Sequence, residues 1–211
     1  MKKPIIVFDL DGVLFDSIGL LKQFNAAQFV EIPEKELLEL FTGNIHETIK
    51  HSPLPKKIIA EDERQRLVDE YVERKLLVLM YPKIKELVEQ LTTVYTLAIN
   101  TYARPERSLP LLEREKIIKH FDYLGTYNPD GIAQTKIEKF KAIAKKYNIE
   151  MQDMLFITDS LGDVREVATL AVPTIAVTWG MHDRSFFERE AHPHLVAIVD
   201  TVEELKKRLL Y

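Results

Sequence analysis

The sequence predicts an α/β fold: a Rossmann-like parallel sheet with helices on its faces and a small all-helical domain inserted near the start. Two observations carry this. Short apolar runs alternate with amphipathic helical patterns through the second half of the chain, as in parallel strands joined by crossover helices. From about residue 17 to residue 81 the alternation stops, and helical periodicity continues alone.

Strands are expected at 5–10, 94–100, 123–126, 155–158, 174–178 and 196–199. The first begins with the four apolar residues Ile5 to Phe8, the pattern of a strand covered on both faces. Helices are expected at 17–30, 34–41 and 61–80, separated by turns at Pro33, Gly43, Pro53 and Pro55. In the third, Leu67, Val68, Tyr71, Val72, Leu76 and Leu79 are expected to face inward, and the charged residues around them to form a solvated face. Pro82 then leads the stripe Ile84, Leu87, Val88 and Leu91. Pro110 predicts a helix starting near Leu109. Ile137, Phe140, Ala144 and Tyr147 form another apolar stripe, and Thr201 with Glu204 reads as a capping box before Leu205 and Leu209. The expected division is a core domain of residues 1–16 and 82–211 and a helical domain of residues 17–81.

With 211 residues and a formal charge of −4, the chain has no general attraction for nucleic acid or an anionic membrane. Small soluble partners are favoured. The absence of cysteine excludes disulfides and thiolate chemistry and fits a cytoplasmic setting. Asp9 and Asp11 interrupt the first apolar run too early for a secretory signal, and no run reaches the ~18 apolar residues of a membrane span.

The stretch FDLDGVLFDS ends a buried strand on two acids. Residues i and i+2 of an extended chain point to one side, so Asp9 and Asp11 should lie close together. At ~5 Å and an effective dielectric of ~20 their repulsion is about 3 kcal/mol, which calls for a metal ion or a lysine beside them. In parallel sheets, functional groups collect beyond the carboxyl ends of the strands. There the second strand offers Asn100 and Thr101, the fourth offers Asp159 and Asp163, and Lys136 opens a nearby helix. Each of these alone is an ordinary turn, cap or surface residue. Together they form a constellation.

These residues resemble the motifs of the haloacid dehalogenase-like hydrolase superfamily: FDLDGVLFDS the first, LAINT the second, the TK of QTKIEKF the third and ITDSLGD the fourth. The tail, especially AVTWG, is similar to the ending of the phosphoglycolate-phosphatase-like branch, and the helical insertion resembles that branch's cap. The resemblance implies a Mg²⁺-dependent phosphatase acting on a small phosphomonoester through an aspartyl-phosphate. It makes Asp9 the nucleophile and Asp11 the acid and base, the latter needing a pKa raised toward neutrality. Thr101 and Lys136 bind the phosphoryl oxygens, and Mg²⁺ is held by Asp9, Asp11 (through its backbone carbonyl), Asp159 and Asp163. Lys139 competes with Lys136 for the third-motif role. The acid at Asp11 sets dehalogenation aside. A sugar phosphomutase and, from another class, a phosphoacceptor signalling module are the alternatives.

Three departures from the family pattern stand out: Tyr102 follows Thr101, Asn100 precedes it, and Lys83 replaces a frequent glycine after Pro82. Phosphoglycolate, pyrophosphate, sugar phosphates and nucleotides all remain candidate substrates. Lys22, His46, Lys50 and Arg64 are the candidate specificity residues of the cap, each with an ordinary surface role as the alternative. His192 and His194 read as loop residues and Trp179 as packed. His182 and Arg184 follow the TWG turn as loop residues, with a place near the cap hinge as the alternative.

Overall fold

A computed structural model describes residues 3–127, 135–189 and 192–211, except for the side chain of His46. Six strands form one parallel sheet: β1 (Ile5–Phe8), β2 (Thr96–Asn100), β3 (Tyr123–Gly125), β4 (Met154–Thr158), β5 (Thr174–Val177) and β6 (Leu195–Val199). Their spatial order is β3-β2-β1-β4-β5-β6. The order reverses at β1, the switch point where such sheets open a crevice at their carboxyl ends. Phe8 is level with Ile99 on one side and Ile157 on the other, so β1, β2 and β4 release their next residues at one height.

Between β1 and β2 run α1 (Ile18–Ala26), α2 (Glu34–Leu40), α3 (Ile45–His51), α4 (Glu61–Lys75) and α5 (Ile84–Leu91). Then come α6 (Pro105–Arg114), α7 (Lys136–Tyr147), α8 (Leu161–Val167), α9 (Arg184–Glu188) and α10 (Val202–Leu210). Strand alternation divides the core. Ile6, Phe8, Leu97, Ile99 and Ile157 pack on one face with α5 and α10, while Ile5, Val7, Ala98, Met154 and Phe156 meet Phe140 and Ile143 of α7 on the other. Ile18, Phe29, Leu37, Leu40 and Phe41 form a separate cluster within the helical insertion, closed by Met181 from the core. Among the described residues no helix is long and apolar enough to cross a membrane.

The insertion differs from expectation in four places. Helix α1 stops at Ala26, short of residue 30, and α3 lies where only turn signals were legible. Helix α4 ends at Lys75 instead of continuing to residue 80, and Leu79 is exposed. The reason is tertiary: residues 79–81 run back beside the outgoing chain, with Asp16 N donating to Leu79 O at 2.9 Å and Tyr81 N to Leu14 O at 3.0 Å. In the core, α6 starts at Pro105 and carries Pro110 inside it, since Pro105 takes the first helical position, where a missing N–H is harmless. Lys83 has φ 67°, the left-handed conformation that explains why glycine suits this position.

Candidate functional site

The carboxyl ends of β1, β2 and β4 bring Asp9, Thr101, Asp159 and Asp163 to the lining of one cavity, with Asp9 and Asp163 meeting the Lys136 ammonium. Thr135 caps α7, its hydroxyl accepting from Glu138 N at 3.1 Å while the Glu138 carboxylate accepts from Thr135 N at 2.9 Å. This places Lys136 in the first turn. Its Nζ reaches Asp9 Oδ2 at 2.8 Å, Asp163 Oδ2 at 2.9 Å and the Asn100 carbonyl at 3.1 Å. Asn100 Nδ2 in turn donates to the Lys136 carbonyl at 3.0 Å, so this neighbour of Thr101 braces the lysine. Burial opposes charge on Lys136, but Asp163 and Asp9 outweigh it and hold the group protonated.

Lys139 points elsewhere. It donates to the Thr101 carbonyl at 2.6 Å, and burial, reinforced by Lys136, pushes it down to about 8. Of the two lysines, Lys136 meets the acids and Lys139 braces the loop that carries Thr101. The Thr101 hydroxyl accepts from Ala103 N at 3.1 Å, and its own N–H donates to Gly125 O at 2.9 Å. Tyr102 donates its hydroxyl to the Glu166 carboxylate at 2.8 Å, and both residues line the cavity.

Burial, then Asp9, raise Asp159 well above the ordinary carboxylate range. Its Oδ2 accepts from Met181 N at 2.7 Å. Burial pushes Asp163 up to about 7 against the pull of Lys136, and Thr158 Oγ1 donates to it at 2.5 Å. Asp159 sits in a cradle closed by Gly12 and Gly180. A Cβ on Gly12 would fall 1.8 Å from Asp159 Oδ2 and one on Gly180 2.2 Å from it; Gly12 also has φ +72°. Gly12→Ala is therefore expected to cost about 1–2 kcal/mol in backbone strain alone. By displacing Asp159 it should also lower turnover by ~10²-fold. Thermal melting and steady-state rates check both effects.

Asp11 lines the same cavity as Asp9. Its carboxylate contacts Ser17 Oγ and the Lys75 ammonium, which reaches in from α4. Lys75 is 1% exposed, although the sequence placed it on the solvated face of its helix. Burial lowers it to about 7, with Asp9 and Asp159 resisting and Arg107 assisting. The overlooked signal was its position four residues after Tyr71, on the apolar stripe rather than opposite it. Ser17 and Arg107 were also overlooked: Ser17 closes the stretch FDLDGVLFDS without a role having been given to it, and nothing in the local pattern marks Arg107.

The cavity has a volume of about 420 Å³, and α1, α4 and the segment from Phe41 to Ile45 roof it. None of Lys22, Lys50 and Arg64 lines it: they pair with Glu34, Glu47 and Glu61 at the surface. His46 lies outside the described side chains, as do residues 128–134 ahead of Lys136. His182 is buried between core and insertion: Nδ1 accepts from Leu161 N at 3.1 Å and Nε2 lies 3.1 Å from the Leu38 carbonyl. Arg184 pairs with Asp200 at 2.7 Å, and Trp179 packs on the core with its indole donating to Val13 O at 3.3 Å. His192 and His194 lie in the segment before β6.

Haloacid dehalogenase-like hydrolases match residues 6–177, from β1 to the end of β5. The chain belongs to this family. It is 24% identical to a phosphoglycolate phosphatase of Mesorhizobium japonicum, over 100% of this chain and 98% of that one. It is equally 24% identical to the tyrosine-protein kinase PtkA of Mycobacterium tuberculosis, over 97% of this chain and 72% of that one. A crystal structure of a predicted phosphatase from Clostridium acetobutylicum superposes with a TM-score of 0.74 at 22% identity, covering 100% and 99% of the two chains. That likeness shows the fold.

Hydrolases of this family generally use Mg²⁺, and the donor chemistry here fits such an ion. Burial and the charge of Asp9 raise both Asp159 and Asp163, as expected of acids gathered with too little positive charge beside them, and every candidate donor is a hard oxygen. Among the described residues no three acidic or histidine side chains already form a metal cluster. A ligand set of two carboxylates and one backbone carbonyl requires none.

Proposed function

We propose that the protein is a cytoplasmic, Mg²⁺-dependent phosphatase that hydrolyses a small phosphomonoester through an aspartyl-phosphate, with phosphoglycolate among its substrates. The observation that carries this reading is the Lys136 ammonium bridging Asp9 and Asp163 beneath a roofed cavity that Asp11 also lines. Relatives named phosphoglycolate phosphatase, one matching the chain end to end, support the choice of substrate. We assign residues 1–16 and 82–211 to the core and 17–81 to the cap. The antiparallel pairing of residues 14–16 with 79–81, where the chain leaves and rejoins the sheet, supports that division.

In this mechanism Asp9 Oδ attacks phosphorus as the bond to the leaving oxygen breaks, and Asp11 gives that oxygen a proton. Water then attacks the phosphorus, losing a proton to Asp11. The Asp9–phosphorus bond breaks, freeing phosphate and restoring Asp9. Thr101 and Lys136 bind the phosphoryl oxygens, and Asp163 keeps Lys136 in place. Asp9, the Asp11 carbonyl and Asp159, with Asp163 nearby, would hold Mg²⁺, which would supply the positive charge that lets a carboxylate approach a dianion.

Purified protein given a panel of phosphoglycolate, pyrophosphate, sugar phosphates and nucleotides should release phosphate from at least one of them in Mg²⁺. Excess EDTA should reduce release to background, and added Mg²⁺ should restore it. Release that EDTA leaves unchanged would refute the metal dependence.

A further inference from the structure

Arg107 lies in the first turn of α6 and lines the cavity together with Asp9, Asp11 and Lys75. Its guanidinium stands over the Tyr71 ring of α4, 5.6 Å from the centroid. Its Nε is buried without a hydrogen bond, and no carboxylate among the described residues pairs with it. A buried donor left unpaired is costly, and a guanidinium is shaped to grip a carboxylate or phosphate through two parallel bonds.

The surroundings strengthen the demand for an anion. The positive field of Arg107 reaches both Lys75 and the Tyr71 hydroxyl. Lys75 is already engaged by Asp11, so it offers Arg107 no relief. The acids of the site gather around Lys136 and Lys75, leaving Arg107 without a counterion among the described residues, on the wall between α4 and α6. At about 420 Å³ the cavity also holds more than a phosphoryl group, within the usual range for whole small-molecule ligands.

Resting on the phosphatase reading above, we infer that Arg107 binds a second anionic group of the substrate, a carboxylate or a second phosphate, remote from the phosphoryl group that meets Asp9. Specificity then comes from a core helix, with the ring face of Tyr71 of the insertion supporting the guanidinium. Substrates with a neutral tail leave this donor unpaired and are discriminated against.

Binding tests this without requiring turnover. Calorimetric titrations of the Asp9→Asn protein in Mg²⁺ would use phosphoglycolate, a hexose bisphosphate and ethyl phosphate. At least one of the two doubly anionic probes should bind ~10-fold or more tightly than ethyl phosphate, and which one does so separates carboxylate from phosphate. Adding Arg107→Gln should remove that advantage while leaving ethyl phosphate within about twofold, and Arg107→Lys should restore part of it. Equal binding of all three probes, or an equal loss for all three in Arg107→Gln, would overturn the inference. If Arg107→Gln does not fold, the ranking of probes on the parent protein and the Arg107→Lys comparison decide. Selective binding with no phosphate release by the Asp9-intact enzyme would instead refute the phosphatase reading and leave the anion site standing.

Discussion

Asp9→Asn is expected to lower phosphate release by ~10⁴-fold or more, because it removes the attacking oxygen rather than a group that assists it. The substitution is close to isosteric. The carbonyl oxygen of Asn can still accept from Leu10 N, the 2.6 Å contact made by Asp9 Oδ1, so the turn after β1 should hold its shape. Lys136 keeps Asp163 and the Asn100 carbonyl as partners, so it is not stranded. The fold should therefore survive while kcat collapses, and substrate should still bind. Steady-state rates alongside a melting curve separate these outcomes. A fall of only a few fold would mean that Asp9 holds the site together without forming a bond to phosphorus.

Lys136→Met should damage stability as well as chemistry. Asp9 and Asp163 would lose the ammonium that joins them, and breaking a buried pair on one side costs about 3–5 kcal/mol. The pH dependence has a definite sign. Asp163 is already pushed up to about 7, so over the window from ordinary carboxylate values (~4) to about 7 the folded chain binds more protons than the unfolded one. Lowering the pH through that window therefore stabilises the fold relative to its unfolded state. Without Lys136 this gain should grow, because the neutral acid no longer needs a cation. Metal-free Lys136→Met protein should accordingly show its largest loss of melting temperature near pH 7 and a smaller one near pH 5. A constant deficit across that range would contradict the electrostatic account.

Much of this was legible in the sequence because the site lies where a regular pattern ends. A parallel strand that runs from Ile5 to Phe8 and stops at Asp9 announces both the buried sheet and the group it delivers, and the same logic marks Asn100 with Thr101, and Asp159. Lys136 could be preferred over Lys139 because it stands nearer the start of its helix and leaves Ile137 and Phe140 facing inward, and the cap made by Thr135 and Glu138 fixes that start. The insertion was less legible. Short helices such as α3 lack the length for a clear period, and residues 76–80 have helical composition, but the chain turns after Lys75 and residues 79–81 pair with the segment leaving the core. Lys75 was hidden for another reason: a lysine amid a charged helix reads as solvated unless its place on the apolar stripe is weighed. Arg107 could not be found from sequence, since its meaning depends on Tyr71, which is brought over it by the fold of the insertion.

The most direct measurement is to mix the protein with Mg²⁺ and a substrate found in the phosphatase screen, quench in acid within the first turnover, and map the phosphorylated peptide by mass spectrometry. A phosphoryl group on Asp9, labile to hydroxylamine and missing from Asp9→Asn, is the predicted result. Full-rate phosphate release with no labelled protein, or a label on any other residue, would contradict it.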